Sequence, residues 1–172
     1  MYITEQYKKL NRDAHVEQSK YGAKGGRRQK LVRDVFKKYA CTTALDYGCG
    51  KGDLARTVNE IEWQEFDPAI PGKDMMPNSA DLVVCGDVME HIEPKFVQQV
   101  TNHICELADK VAVVIISLRQ GKRKLPDGSF AHKIVRPAHW WMDLFTAHAD
   151  AHEKTVNILS VDKKELILII KA

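Results

Sequence analysis

Apolar positions along the chain fall into short continuous runs separated by stretches in which they recur every three or four residues. Thr43 to Tyr47 is one such run, suited to a buried parallel strand. Glycines follow at alternate positions, Gly48, Gly50 and Gly52, and then Leu54, Ala55 and Val58 repeat at helical spacing. The pattern predicts strand, glycine turn, helix. Upstream, residues from about Thr4 to Gln18 place Tyr7, Leu10 and Ala14 on one helical face. The glycine-rich basic linker Tyr21 to Arg28 cannot continue that helix and reads as a candidate lid. A second helix from about Arg28 to Tyr39 carries the stripe Leu31, Val32, Val35, Phe36 and Tyr39, with Lys37 and Lys38 complementing its dipole, and is expected to pack on the sheet.

Downstream, a second short strand ends at Glu65-Phe66-Asp67, and another strand starts near Asp81. Pro94 opens a helix whose Phe96, Val97, Val100, Ile104 and Leu107 share one face. Val111 to Leu118 is a continuous, β-branched run, the mark of a central strand. A long basic segment, Arg119 to His132, is punctuated by the turn Pro126-Asp127-Gly128. Pro137 starts a helix bearing Trp140, Trp141, Leu144 and Phe145, and Thr155–Val161 and Glu165–Lys171 read as an antiparallel hairpin across Asp162-Lys163-Lys164. Together these predict a Rossmann-like, doubly wound α/β fold. Its sheet is mainly parallel with an antiparallel last strand, helices cover both faces, and the ligand sits over the carboxyl ends of the strands.

Length and composition narrow the class. A chain of 172 residues with 44% hydrophobic content is expected to be one domain with one sizeable core. It divides into N-terminal helices with a basic lid (1–40), a core (41–118), a basic loop (119–136), and a closing helix and hairpin (137–172). No apolar stretch reaches the ~20 residues of a membrane span, and Met1 to Gln6 lacks the apolar core of a signal peptide, so a cytoplasmic protein with no membrane partner is expected. Cys41, Cys49, Cys85 and Cys105 form no C-x-x-C pair and are expected to be reduced. His148 and His152 share a helical spacing without a nearby glutamate or third ligand, and no metal is expected. The net charge of +3 is unevenly spread: residues 1–40 carry 11 Lys and Arg against 4 Asp and Glu, 41–118 carry 5 against 13, and 119–136 carry 6 against 1. Two basic segments thus flank an acidic centre, which favours an anionic guest at its mouth.

The charges around the glycine turn select its ligand. A dinucleotide fingerprint wants its third glycine three residues after the second, where Asp53 stands, and Asp46 at the mouth would repel a pyrophosphate but attract a cation. A nucleoside carrying an ammonium and a sulfonium is the better guest. Leu45-Asp46-Tyr47-Gly48-Cys49-Gly50-Lys51-Gly52 indeed resembles the first motif of the class I S-adenosylmethionine-dependent methyltransferases. Asp67, seventeen residues after Gly50, stands where such proteins keep an acid for the ribose hydroxyls, and Ala80 to Ile92 resembles their fourth strand and the acidic loop after it. The thirteen residues 68–80, with three prolines, are too few for the helix and third strand usual in that family, so a trimmed version is expected.

The resemblance implies S-adenosyl-L-methionine as cofactor, held by Asp46, Tyr47, Gly48, Cys49 and Gly50 at its methionine end, Asp67 and Pro68 at its ribose, and Asp74 and Met75 at its adenine. Asp87 and Val88 would lie near the sulfur and the acceptor. Should an acceptor proton have to leave, Asp87, Glu90, His91 and His132 are the catalytic candidates. Lys24, Arg27, Arg28, Lys122, Arg123 and Lys124 supply the cationic mouth, and adjacent tryptophans about 100° apart on a helix let Trp140 or Trp141 reach the rim. The Asn/Asp-Pro-Pro-Tyr tetrapeptide of amino-group DNA methyltransferases is missing, as is a Pro-Cys nucleophile. A small anionic or nucleotide-like acceptor is therefore favoured, with a nucleic acid as the alternative. A protein that only binds or otherwise consumes the cofactor would need the same glycine turn.

Overall fold

In a computed structural model describing residues 2–19, 21–22 and 25–172, the expected strands form at β1 (Ala44–Tyr47), β2 (Trp63–Phe66), β3 (Ala80–Gly86), β4 (Ala108–Ser117), β5 (Thr155–Val161) and β6 (Glu165–Lys171). They make one sheet in the order β2-β1-β3-β4-β6-β5, with β1 to β4 parallel, β6 antiparallel to β4, and β5 antiparallel to β6. Residues 111–116 of β4 are buried throughout, which is why the run carries no polar alternation. That strand begins at Ala108 rather than Val111, because Ala108 already pairs with Ala80 before a register shift between Ala80 and Leu82.

Between β2 and β3 there is neither helix nor strand. The polypeptide turns back at once, with Asp67 N–H donating to Lys73 O at 2.8 Å and Gly72 in the left-handed region. The shortness and the prolines of this interval leave β2 as a sheet edge. The other edge, β5, is interrupted by an irregularity between Ile158 and Ser160, a feature that discourages edge-to-edge pairing.

Helix α2 (Gln29–Lys38) and the short α3 (Asp53–Thr57) cover one face, where Val32, Val35, Leu54 and Val58 meet Leu82, Val113 and Ile169. On the other, α4 (Val97–Leu107) and α5 (Ala138–Asp150) bury Val100, Ile104, Trp141 and Phe145 against Val83, Val114 and Leu168. Pro94 starts a 3₁₀ turn that leads into α4. Helix α1 (Glu5–Glu17), capped by the Thr4 hydroxyl on Tyr7 N–H, belongs to neither layer. Its Tyr7 and Ala14 pack with Tyr21 against Leu125 and Ala131 of the basic loop, forming a small third cluster above the sheet.

Trp140 and Trp141 do not reach the rim of the cleft over the sheet. Helix α5 is glued to the α4 side of the sheet, Trp141 is wholly buried there, and Trp140 lies edge-on to it at 4.9 Å with the Arg136 guanidinium over its outer face. Their side chains serve packing. Trp141→Ala should lower unfolding free energy by about 3–5 kcal/mol, with Trp140→Ala costing less; urea unfolding of the two variants measures the difference.

Candidate active site

A cleft of about 970 Å³ opens over the carboxyl ends of β1, β2 and β3, roofed by α1 and the basic loop. It sits where the strand order reverses between β1 and β3, the place at which doubly wound sheets take ligands. Its floor is the glycine turn. Gly48 and Cys49 donate their N–H groups to Phe66 O at 2.7 and 3.1 Å, fastening the turn to the end of β2. Gly50 N–H donates to Asp67 Oδ2 at 3.1 Å, and Ala69 N–H donates to Oδ1 at 2.9 Å. Asp67 thus holds the turn in shape and keeps further lone pairs on both oxygens.

Gly50, at φ 53°, is required by the protein itself: a Cβ there would stand 2.8 Å from Gly22 O. The close approach expected between backbone and ligand is, at this residue, one between two chain segments. Lys51 N–H completes it by donating to the same Gly22 oxygen at 3.1 Å.

Three buried acids line the cleft. Burial, then the charge of Glu65, pushes the Asp46 carboxyl up to about 7. Burial also raises Asp67, against the pull of the Ala69 amide and of His15. Glu90, wholly buried, is pushed up to about 8 by burial and then by Asp87. Its Oε1 accepts Ser117 N–H at 3.2 Å, while Oε2 has no partner among the described residues. Two histidines stand beside it with rings 4.8 Å apart: His91, held down to about 3 by burial and then by His132, and His132 itself. His91 Nδ1 lies 2.9 Å from Ala131 O and His132 Nδ1 lies 2.8 Å from Arg119 O.

Of the remaining expected residues, Tyr47, Gly48, Cys49, Pro68, Asp87 and Val88 all line the cleft, as do Arg27, Arg28, Lys122, Arg123 and Lys124. Arg27 is ion-paired with Asp87, and Arg28 with Glu165, so the basic lid segment is clamped onto acids of β6 and the β3 loop. Arg123 stacks over Tyr21, 5.3 Å from its ring centre. Lys24 lies outside the described residues. Asp74 and Met75 do not join the site: Met75 is 81% exposed, and Asp74 pairs with Lys8 at 3.1 Å outside the cleft, because the trimmed loop turns away from it. His148 and His152 hydrogen-bond Gln98 and Asn102 of α4 separately.

Sequence reasoning missed the roof. Tyr21 OH donates to Asn11 Oδ1 at 2.8 Å, Asn11 Nδ2 donates to Tyr7 O, Tyr7 OH donates to His91 O at 2.7 Å, and the charge of Asp67 acts on His15. The available signal was Asn11, a polar residue on the apolar face of α1, between Tyr7 and Ala14.

No family model matches the sequence, and no match to a curated protein reaches significance. Solved structures do match. A magnesium protoporphyrin IX methyltransferase from Synechocystis PCC 6803, with bound S-adenosylmethionine, superposes with a TM-score of 0.61 at 14% identity over 99% of both chains. The fold is that of the class I S-adenosylmethionine-dependent methyltransferases. The N-methyltransferase NodS from Bradyrhizobium japonicum WM9, in complex with S-adenosylhomocysteine, matches at TM-score 0.55 and 13% identity over 84% of this chain and 85% of its own. An O-methyltransferase family protein from Burkholderia thailandensis matches 94% of this chain at TM-score 0.56 and 12% identity, and this chain spans only 62% of its length. Among the described residues no helix is long and apolar enough to cross a membrane.

Asp46 makes a pH-dependent prediction. Its folded value, near 7, lies above the unfolded 3.8, so folding favours the protonated carboxyl. The resulting penalty is absent below pH 4, grows as pH rises, and is complete above 7. Asp46→Asn should therefore stabilise the unliganded protein at pH 8 by up to about 4 kcal/mol, at 1.36 kcal/mol per pH unit, and leave stability at pH 4 nearly unchanged. Urea unfolding at both pH values measures this.

Proposed function

We propose that the chain transfers a methyl group from S-adenosylmethionine to a small anionic or nucleotide-like acceptor. The observation that carries the cofactor half is the placement of buried Asp46 and Asp67 on either side of the glycine turn, in a cleft at the strand-order reversal of a methyltransferase fold. Solved structures with this fold hold S-adenosylmethionine or S-adenosylhomocysteine. Asp67 and Pro68 then take the ribose, Asp46 the ammonium, and the Tyr47 to Gly50 turn the methionine chain. Asp87 and Val88 face the sulfur. Lys73 offsets the burial of Asp46 only in part, and a buried carboxylate in that state gains most from a ligand that brings a positive charge.

The reaction is an in-line displacement. An acceptor lone pair forms a bond to the methyl carbon, the carbon–sulfur bond breaks, and its electrons stay on sulfur, turning the sulfonium into a neutral thioether. Holding the acceptor about 3–3.5 Å from the methyl in the correct line supplies much of the rate. The roof of α1 and the basic loop excludes water from that encounter. Opening the Arg27–Asp87 and Arg28–Glu165 pairs is the natural route for entry, since both pairs join the lid segment to the cleft wall.

The acceptor half rests on Lys122, Arg123 and Lys124 along the cleft wall. They are three consecutive residues of one loop, a cationic surface that suits a compact anion better than a polymer.

Incubation with methyl-labelled S-adenosylmethionine and fractionated cell extract tests the reading, with label expected in an anionic small-molecule fraction. Cofactor loss without labelled product would identify a consumer of the cofactor, and binding without turnover would identify a binding protein. Fluorescent nucleic acid titrated between 50 and 200 mM salt separates the acceptor classes. A steep fall in affinity, near −0.7 to −0.9 per phosphate contacted on a log–log plot, that flattens when Lys122, Arg123 and Lys124 are all changed to alanine, would replace the small acceptor with a nucleic acid.

A further inference from the structure

Glu90, His91 and His132 each offer one ligand atom to a common point at the cleft, and these atoms lie within 4.8 Å of one another. Glu90 Oε2 has no hydrogen-bond partner among the described residues, and the residue is 0% exposed. A buried carboxylate oxygen in that state is costly unless a ligand answers it. On both histidines Nδ1 faces a backbone carbonyl, which can only accept, so Nδ1 carries the proton and Nε2 presents its lone pair. A carbonyl behind Nδ1 is the usual device for orienting an imidazole that ligates a metal through Nε2. The scaffold is continuous as well: Lys133 and Ile134 both donate N–H groups to Glu90 O, at 2.8 and 3.0 Å, tying the loop that carries His132 to the acid beside it.

We infer that Glu90, His91 and His132 form a site for a first-row divalent cation, with two imidazole nitrogens and one carboxylate oxygen behind the ion and open coordination positions toward the cleft. Two nitrogen donors favour Mn²⁺, Fe²⁺, Co²⁺ or Zn²⁺ over Mg²⁺ or Ca²⁺. Adjacent ligands of such an ion lie about 3–3.5 Å apart, so the three groups draw together by roughly an ångström. The three residues are then cation ligands rather than proton acceptors.

What the open positions take rests on the methyl-transfer reading: an oxygen of the acceptor. A cation-bound hydroxyl loses its proton to solvent near neutral pH, and its oxygen bonds to the methyl carbon as the carbon–sulfur bond breaks toward sulfur. The cation would thereby select acceptors with an oxygen nucleophile.

Calorimetric titration of the chelator-stripped protein with Mn²⁺, Co²⁺, Zn²⁺ and Mg²⁺, with no cofactor added, tests the site. One ion per chain is expected, with Mn²⁺ and Co²⁺ binding far more tightly than Mg²⁺, and with Co²⁺ acquiring a visible absorption band of mixed nitrogen and oxygen ligation. His132→Ala, on a partly exposed loop, and Glu90→Gln should each weaken Co²⁺ binding about 100-fold or more. If Glu90→Gln fails to fold, His132→Ala alone decides. The double change His148→Ala and His152→Ala should leave binding unchanged. Absence of stoichiometric binding, affinity untouched by His132→Ala, or loss on changing the α5 histidines overturns the proposal. Titrating the stripped protein with S-adenosylhomocysteine keeps the two readings apart: cation binding without nucleoside binding would sink methyl transfer and leave the metal site standing.

Discussion

Burial of carboxyl groups at one end of the sheet is the constraint on which the rest of the structure turns. Asp46, Asp67 and Glu90 are all buried, Asp46 near the carboxyl end of β1, Asp67 directly after β2 and Glu90 in the 3₁₀ turn that follows β3. Taking such groups out of water costs several kcal/mol apiece if they stay ionised. Asp67 recovers part of this from two backbone amides, Glu90 from one, and among the described residues no hydrogen bond to the Asp46 carboxyl offsets its cost. Folding pressure alone would replace them with apolar residues. Their retention in a cleft makes sense if cationic guests complete them, a sulfonium nucleoside with its ammonium at Asp46 and a metal ion at Glu90.

Topology brings these groups together. Because β1 lies between β2 and β3, the connections leave the sheet in opposite directions on either side of it, and a crevice opens there. The glycine turn fills its floor, and its dihedral demands are set as much by the lid as by any ligand, since Gly50 and Gly22 touch backbone to backbone. The same N-terminal region that seals the roof through Tyr7, Asn11 and Tyr21 also supplies Arg27 and Arg28 to acids of the cleft wall. Roof, floor and wall are therefore coupled through a handful of contacts around one segment.

The sheet was legible because its strands are written locally. Thr155–Val161 and Glu165–Lys171 stand where their β-branched runs put them, and the proline-rich residues 68–80 announced the missing helix and strand by brevity alone. The start of β4 was not legible, since Ala108-Asp109-Lys110 has no apolar pattern and joins the strand only through pairing with Ala80. In the site, Asp46 was read from its place at the mouth of the glycine turn, and Asp67 and Asp87 from the resemblance of their stretches to those of class I methyltransferases. Glu90, His91 and His132 were each noticed singly, but their convergence depends on a loop that returns to Glu90 O from forty residues downstream. Arg27 and Arg28 were read as cations for an anionic guest, and their pairing was not legible because the partners, Asp87 and Glu165, are 60 and 137 residues away. Trp140, Trp141, Asp74 and Met75 show the limit of reasoning by position: a helix face and a trimmed loop were oriented by packing that no short stretch encodes.

The central claim, that the glycine turn and its two acids hold a sulfonium nucleoside, is tested most directly by calorimetric titration of the protein with S-adenosylmethionine and, separately, with NAD. The account predicts one S-adenosylmethionine per chain and no NAD binding. It also predicts that Asp67→Ala, still folded, loses roughly 10- to 150-fold in affinity, corresponding to about 1.5–3 kcal/mol of charged hydrogen bonding. NAD binding in preference to S-adenosylmethionine, or unchanged S-adenosylmethionine affinity in the Asp67 variant, would contradict it.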